Sequence, residues 1–315
     1  MASKFMSPKN STSSFVMSGG LGNQLFQLMA ALLYASKTNS KTILEYKDYK
    51  YSKNEANSIV GNSHLALSNV QNSMPIVFPQ ERLGIFRYFA LKSYALTQKF
   101  EIFRKFRSIV FGDYFESDIG FTSAFSFNKK YREVHGYFQT YLIPRQLEEL
   151  ELFPKFEISD PTNWYNNLVL EIQSKSVLVI HIRRGDYYQF RNEFGILVEE
   201  YYYRAAQIVY SRIQIDETWI FTNDTEEVKN SFNLRKFQNP KLLIPPSCSH
   251  PMESLLLMSL GRAIIISNSS FSWWSAFLSK EASLILAPRK WFKGIQDPKD
   301  LLPPEWITLE SDWII

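Results

Sequence analysis

The chain is 315 residues long, which is enough for one large domain or for two domains of about 150 residues each. Its hydrophobic fraction of 45% and charged fraction of 21% are typical of a soluble globular protein with a buried core. The formal net charge of +4 favours an anionic ligand such as a nucleotide diphosphate, but it is too small and too dispersed to indicate nucleic-acid binding.

Cysteine content and the first residues bear on the cellular setting. Cys248 is the only cysteine, so an intrachain disulfide is excluded and a reducing, cytoplasmic compartment is expected. The apolar residues 25–35 are too few to span a bilayer, and we expect no transmembrane segment. Residues 1–13 are polar and lack the apolar core of a signal peptide, so we predict a disordered leader there.

A strand, a glycine-rich turn and a helix are predicted next. Residues 14–18 (SFVMS) form the strand, GGLGNQ follows, and apolar residues then recur at helical spacing from Leu25 to Leu33. Gly20 and Gly22 would let the backbone approach a ligand closely, and the dipole of the following helix favours negative charge.

Two other interpretations of this segment stay open. One is an ordinary glycine turn between a strand and a helix. The other is half of a dinucleotide-binding fingerprint, with Glu45 at the end of the second predicted strand (TILEY) as the ribose-binding acid. Leu25 occupies the third glycine position of that fingerprint, so an NAD-dependent oxidoreductase is the weaker alternative.

The middle of the chain is less informative. Residues 85–111 are aromatic and basic and predict one or two helices. A helix packed on the core with Lys and Arg reaching outward is favoured there over a membrane-surface role. Residues 134–142 (VHGYFQTYL) place Gln139 among aromatic residues and fit the lining of a sugar site. We expect the crossover between domains near residues 150–172.

From residue 176 strands and helices alternate regularly. Short apolar strands separated by helical patterns predict a doubly wound parallel sheet, in which ligands sit at the carboxyl ends of strands. The predicted strands are residues 177–182, 218–223, 241–244, 263–267 and 283–287, and the predicted helices are residues 198–212, 225–232, 251–260 and 270–280.

The densest polar cluster follows the first of these strands, in SVLVIHIRRGDYY at 176–188. It holds His181, Arg183, Arg184 and Asp186, with Gly185 allowing a tight turn. Two guanidinium groups suit a diphosphate, because each offers a planar fork of donors to phosphate oxygens. The alternative is an Arg–Asp ion pair that only fastens a loop.

Two further strand ends carry polar clusters, TNDT at 222–225 and SNSS at 267–270, and we expect all three to converge on one crevice. Ser269 and Ser270 begin a helix whose amides and hydroxyls could bind phosphate. An ordinary helix cap over a buried aromatic face is the alternative. We expect Trp273, Trp274 and Phe277 to lie mostly in the core.

Several motifs together resemble the α-1,2-fucosyltransferases, the glycosyltransferase family 11 that includes bacterial and blood-group H-type enzymes. They are GGLGNQLFQ at 19–27, HGYFQTYL at 135–142, HIRRGDYY at 181–188 and SNSSFSWWSAFL at 267–278. The resemblance runs in order from about residue 15 to about residue 290. It implies an α/β, GT-B-like fold with two Rossmann-like domains facing a cleft, assigned here to residues 14–160 on the acceptor side and 161–315 on the GDP-fucose side.

The resemblance also implies a reaction. An inverting enzyme would move L-fucose from GDP-fucose to the 2-hydroxyl of a glycan ending in galactose or a similar sugar, without a cofactor or metal, in a bacterial or viral setting. Acceptor contacts are expected within residues 46–135, and peripheral membrane contact is left open. Another linkage or acceptor, and a non-catalytic nucleotide-sugar-binding protein, are the alternatives.

Site residues follow from the motifs and from charge. By resemblance, His181 and Arg183 contact the donor, and Arg183 stabilises the leaving β-phosphate while Arg184 shares it or braces the loop. Asp186 is our first candidate for the general base, and orienting Arg183 is its alternative role. The predicted donor-binding residues are Gly20, Gly22, Asn23, Gln24, His181, Arg183, Arg184, Asp224, Asn268, Ser269, Ser270 and Phe271.

Overall fold

The computed structural model describes residues 12–46, 70–71, 76–77 and 101–314, and the chain divides into two compact units. The N-terminal unit comprises the described residues up to Glu157 together with Pro298–Leu301, and the C-terminal unit comprises Ile158–Asp297 and the described residues from Leu302 onward. Residues 298–301, which the prediction placed in the C-terminal domain, are tied to the N-terminal unit by a hydrogen bond from Tyr141 N to Asp300 O at 2.9 Å.

The N-terminal unit is built on a parallel five-stranded sheet. Its strands lie in the order β4-β2-β1-β6-β5. They are β1 (Thr12–Met17), β2 (Lys41–Tyr46), β4 (Ile76–Val77), β5 (Tyr114–Phe115) and β6 (Glu133–His135), while β3 (Val70–Gln71) pairs antiparallel with β7 (Lys155–Phe156). The described helices of this unit are α1 (Leu21–Thr38), α2 (Glu101–Phe111) and α3 (Leu142–Glu149).

Helix α1 is the central packing element of this unit. It is apolar on nearly all sides, and almost every residue from Leu21 to Ala35 is buried, which is the pattern of a core helix. The helix ends at Asn39, whose left-handed φ of 48° stops the helical repeat. It packs against β1, β2 and α3, so the glycine-rich turn before it is held at the carboxyl end of β1.

The predicted leader extends too far by two residues. Strand β1 begins at Thr12 rather than at Ser14. Ser13 is buried, and its Oγ donates to Tyr131 O at 2.7 Å and lies 3.1 Å from Tyr34 Oη. Because its hydroxyl is hydrogen-bonded, a polar residue such as Ser13 can occupy a buried position in a strand. Hydrophobicity along the sequence does not reveal a strand start of this kind. The remainder of the predicted leader lies outside the described residues.

The C-terminal unit is built on a parallel six-stranded sheet. Its strands are β8 (Val177–Ile182), β9 (Glu217–Thr222), β10 (Pro240–Leu242), β11 (Ala263–Ile265), β12 (Leu284–Pro288) and β13 (Ile307–Leu309). Its helices are α4 (Asn163–Gln173), α5 (Glu199–Tyr210), α6 (Thr225–Ser231), α7 (Pro251–Met258) and α8 (Ser270–Phe277).

The strand order β10-β9-β8-β11-β12-β13 confirms the predicted doubly wound parallel sheet. Counted from β8, this is the order 3-2-1-4-5-6 of dinucleotide-binding folds. Every residue of β8 is buried, as expected for a central strand covered on both faces. Helix α5 packs against β8 and β11, while α4 packs on α7 and α7 on α8. Trp273 and Trp274 are fully buried, as predicted.

Several described elements were not predicted from sequence, among them α3, α4 and β13. Helix α3 contains Pro144, but the proline falls in the first turn, where its missing N–H has no helical partner to lose. Helix α4 lies inside the predicted crossover and begins at Thr162, whose Oγ1 accepts from Tyr165 N at 3.2 Å. Strand β13 is three residues long and too short to recognise from sequence.

Each helix in the described part of the chain is too short or too polar to span a bilayer.

Candidate functional site

The C-terminal sheet has one topological switch point, between its neighbouring strands β8 and β11. From β8 the chain winds outward through β9 to β10, and from β11 it winds outward in the other direction. The loops that follow the two strands therefore separate and leave a crevice at their carboxyl ends, which is where doubly wound folds bind ligands. The predicted motifs HIRRGDY and SNSS are these two loops.

His181 lies near the end of β8 and joins the two loops. Its Nδ1 is 2.9 Å from Ser267 Oγ, and its ring lies 5.7 Å from that of Phe271. Burial, with a smaller contribution from the Arg183 charge, lowers the pKa of His181 to about 3. His181 is therefore a neutral imidazole at physiological pH, so it offers a hydrogen bond rather than a positive charge.

Arg183 is oriented by two neighbours in its own loop. Its Nη2 donates to Asp186 Oδ2 at 2.6 Å, and its guanidinium carbon lies 5.0 Å from the ring centre of Tyr187. The side chain is 24% exposed, so it can be reached by a ligand. Among the described residues, no acceptor binds the buried Nε of Arg183. The exposed end of a guanidinium that is fixed in this way suits an anion that arrives with the substrate.

Arg184 differs sharply from Arg183. It is fully buried, its Nη1 donates to Arg183 O at 3.0 Å, and its guanidinium carbon lies 5.1 Å from the ring centre of Phe232. Of the two roles predicted for Arg184, bracing the loop fits this position better than contact with a phosphate.

Asp186 has a donor on each carboxylate oxygen. Oδ2 accepts from Arg183, and Oδ1 accepts from Asn223 Nδ2 at 3.3 Å. Both oxygens are thus directed at groups of the protein, although the side chain is half exposed. Of the two predicted roles, this geometry favours orienting Arg183 over acting as the general base.

Asn223, which the sequence places in the TNDT cluster without predicting a role for it, holds the loop after β8 at Arg184. Its side-chain amide accepts from Arg184 N at 2.9 Å and donates to Arg184 O at 3.1 Å, so it pairs with that residue as a neighbouring strand would. Gly185 turns there with φ of 62°, and a Cβ at Gly185 would lie 2.8 Å from Asn223 Nδ2. The glycine therefore makes room for the clamp. A polar residue at the end of the adjacent strand was the available signal.

A second fastening joins the loop after β8 to the loop after β11. Tyr187 Oη donates to Asn268 O at 2.9 Å. Asn268 is itself buried, and its Nδ2 donates to Phe194 O and Gly195 O at 2.9 and 3.2 Å. The side-chain amide of Asn268 thus donates within the protein, and its contact with the donor stays a prediction.

The amino end of α8 brings together the remaining residues of the SNSS motif. Ser269 is the N-cap residue and is buried, whereas Ser270 and Phe271 open the first turn and are half-buried. The first amides of a helix have no intrahelical acceptor, so they can bind an anion. Asp224 serves another purpose, since it caps α6 by accepting from Glu227 N at 3.1 Å.

In the N-terminal unit, the motifs GGLGNQ and HGYFQT meet at the carboxyl ends of the neighbouring strands β1 and β6. Gln139 Nε2 donates to Asn23 Oδ1 at 2.9 Å, and Gln27 Nε2 donates to Gly136 O at 2.9 Å. Gln27 was not among the predicted residues. Its spacing from the glycines was the available signal.

The predicted donor residues of this turn differ in their positions. Gly20 is exposed, and a Cβ built there meets no heavy atom of the described residues within 4 Å. Asn23 is half-buried. Gly22 is buried within the first turn of α1, and Gln24 is buried with its Nε2 donating to Gly19 O at 3.0 Å. The turn itself is shaped by Gly19, whose φ is 74°.

The one cluster of metal-type ligands among the described residues is Asp113, Glu133 and His135 in the N-terminal unit. Two arginines occupy its carboxylates. Arg107 Nε donates to Asp113 Oδ2 at 2.7 Å and its Nη2 to Glu133 Oε2 at 2.8 Å, while Arg132 Nε donates to Asp113 Oδ1 at 2.8 Å. Cationic partners take the oxygens that a metal ion would need, so this cluster is an ion-pair network. The absence of a metal requirement stays a prediction.

The buried carboxylate of Glu253 has a structural role. It accepts from Thr162 N at 3.0 Å, from Thr162 Oγ1 at 2.6 Å and from Ser249 Oγ at 2.6 Å. These three donors tie the start of α4 to α7 and satisfy a carboxylate that would otherwise be costly to bury.

Comparison with known proteins adds independent findings. The profile of the family described as Glycosyl transferase family 11 matches residues 12–310. An alpha-1,2-colitosyltransferase from Escherichia coli is 25% identical over 94% of this chain and 98% of that protein. The O-antigen biosynthesis glycosyltransferase WbnK from Escherichia coli is 26% identical over 93% of this chain and 99% of that protein. Among solved structures, fucosyltransferase NodZ from Bradyrhizobium aligns with a TM-score of 0.49 and 10% identity, over 86% of this chain and 94% of that chain.

Proposed function

The chain belongs to glycosyl transferase family 11, and we propose that it transfers L-fucose from GDP-fucose to the 2-hydroxyl of a galactose-type acceptor glycan, with inversion at the anomeric carbon. Membership makes the protein a glycosyltransferase and argues against the NAD-dependent oxidoreductase. One relative, which aligns with 94% of this chain, is an alpha-1,2-colitosyltransferase, and this supports the proposed α-1,2 linkage.

One observation carries the choice of an anionic sugar-nucleotide donor. At the switch point of the C-terminal sheet, the partly exposed end of Arg183 and the first turn of α8 follow neighbouring strands, and Tyr187 Oη fastens the two loops through Asn268 O. A guanidinium and helix amides are groups that bind phosphate. Both groups are held in place before a ligand arrives, so binding costs little conformational entropy for ordering the loops.

Each group at this rim has a role in the proposed reaction. The leaving diphosphate gains negative charge as its bond to the sugar breaks, and Arg183 is placed to stabilise that charge. The amides of Ser270 and Phe271 bind a further phosphate oxygen. His181 offers a neutral hydrogen bond, because its low pKa keeps it uncharged beside Arg183. These cationic and amide groups supply the charge stabilisation for which other enzymes use a metal ion, so we propose metal-independent catalysis.

The acceptor hydroxyl must lose a proton, and we assign that step to a group other than Asp186. Asp186 is engaged by Arg183 and Asn223, so we propose that it holds Arg183 in the orientation that faces the phosphate. The acceptor then attacks the anomeric carbon from the side opposite the leaving diphosphate, which is the geometry of inversion.

GDP-colitose is a second candidate donor, because one relative of this chain is an alpha-1,2-colitosyltransferase from E. coli. Colitose is fucose without the 3-hydroxyl. A site that hydrogen-bonds this hydroxyl rejects the deoxy sugar strongly, because its polar partners are left unpaired, whereas an apolar site discriminates weakly. The ratio of kcat/KM for GDP-fucose and GDP-colitose therefore separates the two functions.

The test is release of GDP from GDP-fucose, GDP-colitose or GDP-mannose, with and without lactose, in buffer containing EDTA. The proposal predicts release from GDP-fucose that rises with lactose and persists in EDTA, and a product whose NMR spectrum has the α-1,2 linkage. Release that requires a divalent cation would contradict the metal-independent reaction. GDP binding without release from any donor would favour a non-catalytic binding protein.

Arg183→Lys is the matched variant for this assay, because it keeps the charge and removes the planar fork. We expect kcat to fall about 10²- to 10³-fold, the usual effect of losing one contact that stabilises developing charge. Arg212→Ala changes an exposed arginine just after α5 and serves as the control, for which we expect no change. Equal activity of Arg183→Lys and the parent protein would remove Arg183 from the site.

A further inference from the structure

His181 has two ring nitrogens, and one of them is bonded within the protein. Nδ1 lies 2.9 Å from Ser267 Oγ, whereas Nε2 makes no hydrogen bond to the described residues. Because burial lowers the pKa of His181 to about 3, the neutral ring carries a single proton, which is on one nitrogen or the other. The hydrogen bond at Nδ1 therefore decides whether Nε2 is a donor or an acceptor.

The surroundings of Ser267 determine where its hydroxyl hydrogen points. Ser267 follows strand β11 and is fully buried. Besides His181 Nδ1, the one polar side-chain atom near its Oγ among the described residues is Ser272 Oγ, at 3.4 Å. Hydrogen bonds between two hydroxyl groups are ordinarily about 2.5–3.0 Å long, so this second contact is too long for a good one. A buried donor without an acceptor is costly, so the hydrogen of Ser267 is directed at His181 Nδ1.

The opposite tautomer would need a chain of three hydrogen bonds. The ring Nδ1 would donate to Ser267 Oγ, Ser267 would donate to Ser272 Oγ, and Ser272 would donate to Ser269 O at 3.2 Å. The middle bond of this chain is the 3.4 Å contact, which is the longest of the three. Arg183, the charged neighbour of the ring, directs its Nη2 to Asp186, so no described donor requires a lone pair on Nε2.

We propose that Ser267 is a positioning residue that fixes His181 in the tautomer with its proton on Nε2. The imidazole then offers an N–H at the carboxyl end of β8, two residues from Arg183, so both side chains are donors toward an anionic ligand. That this ligand is a sugar nucleotide rests on the proposed function, whereas the tautomer follows from contacts within the protein. A protonated Nε2 does not take up the proton of the acceptor hydroxyl, so this tautomer also removes His181 from the candidates for the general base.

The test is heteronuclear NMR of the ligand-free protein with isotope-labelled histidine, in which protonated and unprotonated ring nitrogens have different chemical shifts. The chain has four histidines, and the signals that are missing from His181→Gln identify His181. At neutral pH we expect a protonated Nε2 and an unprotonated Nδ1 in the parent. Ser267→Ala should move both signals toward a mixture of the two tautomers. Ser275→Ala, which removes another fully buried hydroxyl of α8, is the matched control and should leave both signals unchanged.

Activity provides a second readout. Ser267→Ala should lower kcat about tenfold, roughly the effect of one lost hydrogen bond, and Ser267→Thr, which keeps the hydroxyl, should recover most of the loss. Ser275→Ala should keep the kcat of the parent. Equal losses of kcat in Ser267→Ala and Ser275→Ala would assign Ser267 a role in packing alone and would contradict the proposal.

Three NMR results would overturn the proposal. A protonated Nδ1 in the parent would show the opposite tautomer, and this spectrum decides the question even if Ser267→Ala does not fold. Unchanged nitrogen signals in Ser267→Ala would show that another group fixes the ring. A change of tautomer in Ser272→Ala would show that the hydrogen of Ser267 points to Ser272. The NMR spectra need no substrate, so a protein with the expected tautomer but without transferase activity would contradict the proposed function and not this assignment.

Discussion

Arg183 and Asp186 show how neighbouring residues can have different duties. Asp186 binds Arg183 through one oxygen and Asn223 through the other. Its position is therefore fixed by groups in the loop after β8 and in the loop after β9. Arg183 in turn keeps a partly exposed side chain. The pair therefore holds a cation ready at the crevice, with the carboxylate as its support.

The support role predicts a graded response to substitution at Asp186. Asp186→Asn keeps an oxygen acceptor for Arg183, so we expect kcat to fall only about tenfold, while Asp186→Ala removes both contacts and should cost about a hundredfold. Steady-state kinetics of both variants, with urea unfolding to confirm normal stability, provide the measurement. A general base would give a loss of about 10²- to 10⁴-fold in both variants alike. Equal, large losses would therefore restore Asp186 as the base.

His181 makes the stability of the protein depend on pH. Its pKa in the folded protein is about 3, below the ordinary value of 6.5, because of burial. Above pH 6.5 the residue is neutral in both states and has no effect. As pH falls from 6.5 toward 3, the unfolded chain takes up a proton that the folded chain refuses, so stability decreases.

Comparison of the parent protein with His181→Gln isolates this contribution. Between roughly pH 8 and roughly pH 5, we expect the parent to lose about 2 kcal/mol more unfolding free energy than the variant, from the linkage relation. Urea unfolding across this range provides the measurement. Parallel curves for the two proteins would mean that His181 becomes protonated in the folded state. NMR of the imidazole in the parent gives a second readout if the variant folds poorly.

At the scale of elements, the periodicity of apolar residues predicted the regular strands and helices of the C-terminal unit. The strands and helices from β8 to β12 were predicted within a few residues, because buried parallel strands are continuous apolar runs and the helices between them have an apolar side. The two strand-end loops of the site were predicted for the same reason. The contacts of Asn223, Tyr187 and Ser267 were not, because their partners lie from 39 to 86 positions away and include backbone atoms, which a one-dimensional pattern does not contain.

The glycine turn before α1 contains two adjacent glycines with different requirements. Gly19 has φ of 74°, and a Cβ there would lie 2.5 Å from Asn23 Nδ2. Gly20 has φ of −73° and ψ of 176°, which any residue adopts, and a Cβ there would meet no heavy atom within 4 Å in the part of the chain that the structure describes. The described fold therefore explains the glycine at position 19 and gives no reason for the one at position 20.

This difference separates a structural glycine from a ligand-binding one. We expect Gly19→Ala to destabilise the protein by about 1–2 kcal/mol, through left-handed strain and the clash with Asn23. Gly20→Ala should leave the melting temperature unchanged but raise KM for the donor, if the backbone there approaches the ligand closely. Thermal unfolding and donor titration of the two variants provide the measurement. An unchanged KM in Gly20→Ala would remove Gly20 from the predicted donor site.

At the scale of the whole molecule, the two units repeat one arrangement. In each, a parallel sheet has a motif-bearing loop after its first strand, namely GGLGNQ after β1 and HIRRGDY after β8. In each, a second motif follows the strand on the other side of the switch point, HGYFQT after β6 and SNSS after β11. The C-terminal unit adds to that plan a partly exposed cation, Arg183, which supports our proposal that this unit binds the anionic part of the substrate.

This assignment predicts which nucleotides stabilise the protein against unfolding. GDP at a hundredfold excess over its Kd should raise the unfolding free energy by about 2.7 kcal/mol, because it binds only the folded state. NAD should have no such effect, since Leu25 takes the place of the third fingerprint glycine and is fully buried against the core. Thermal unfolding with each nucleotide provides the measurement, and Arg183→Ala should greatly reduce the effect of GDP while keeping the ligand-free melting temperature. Stabilisation by NAD alone, or by GDP equally in Arg183→Ala, would place the nucleotide away from the crevice between β8 and β11.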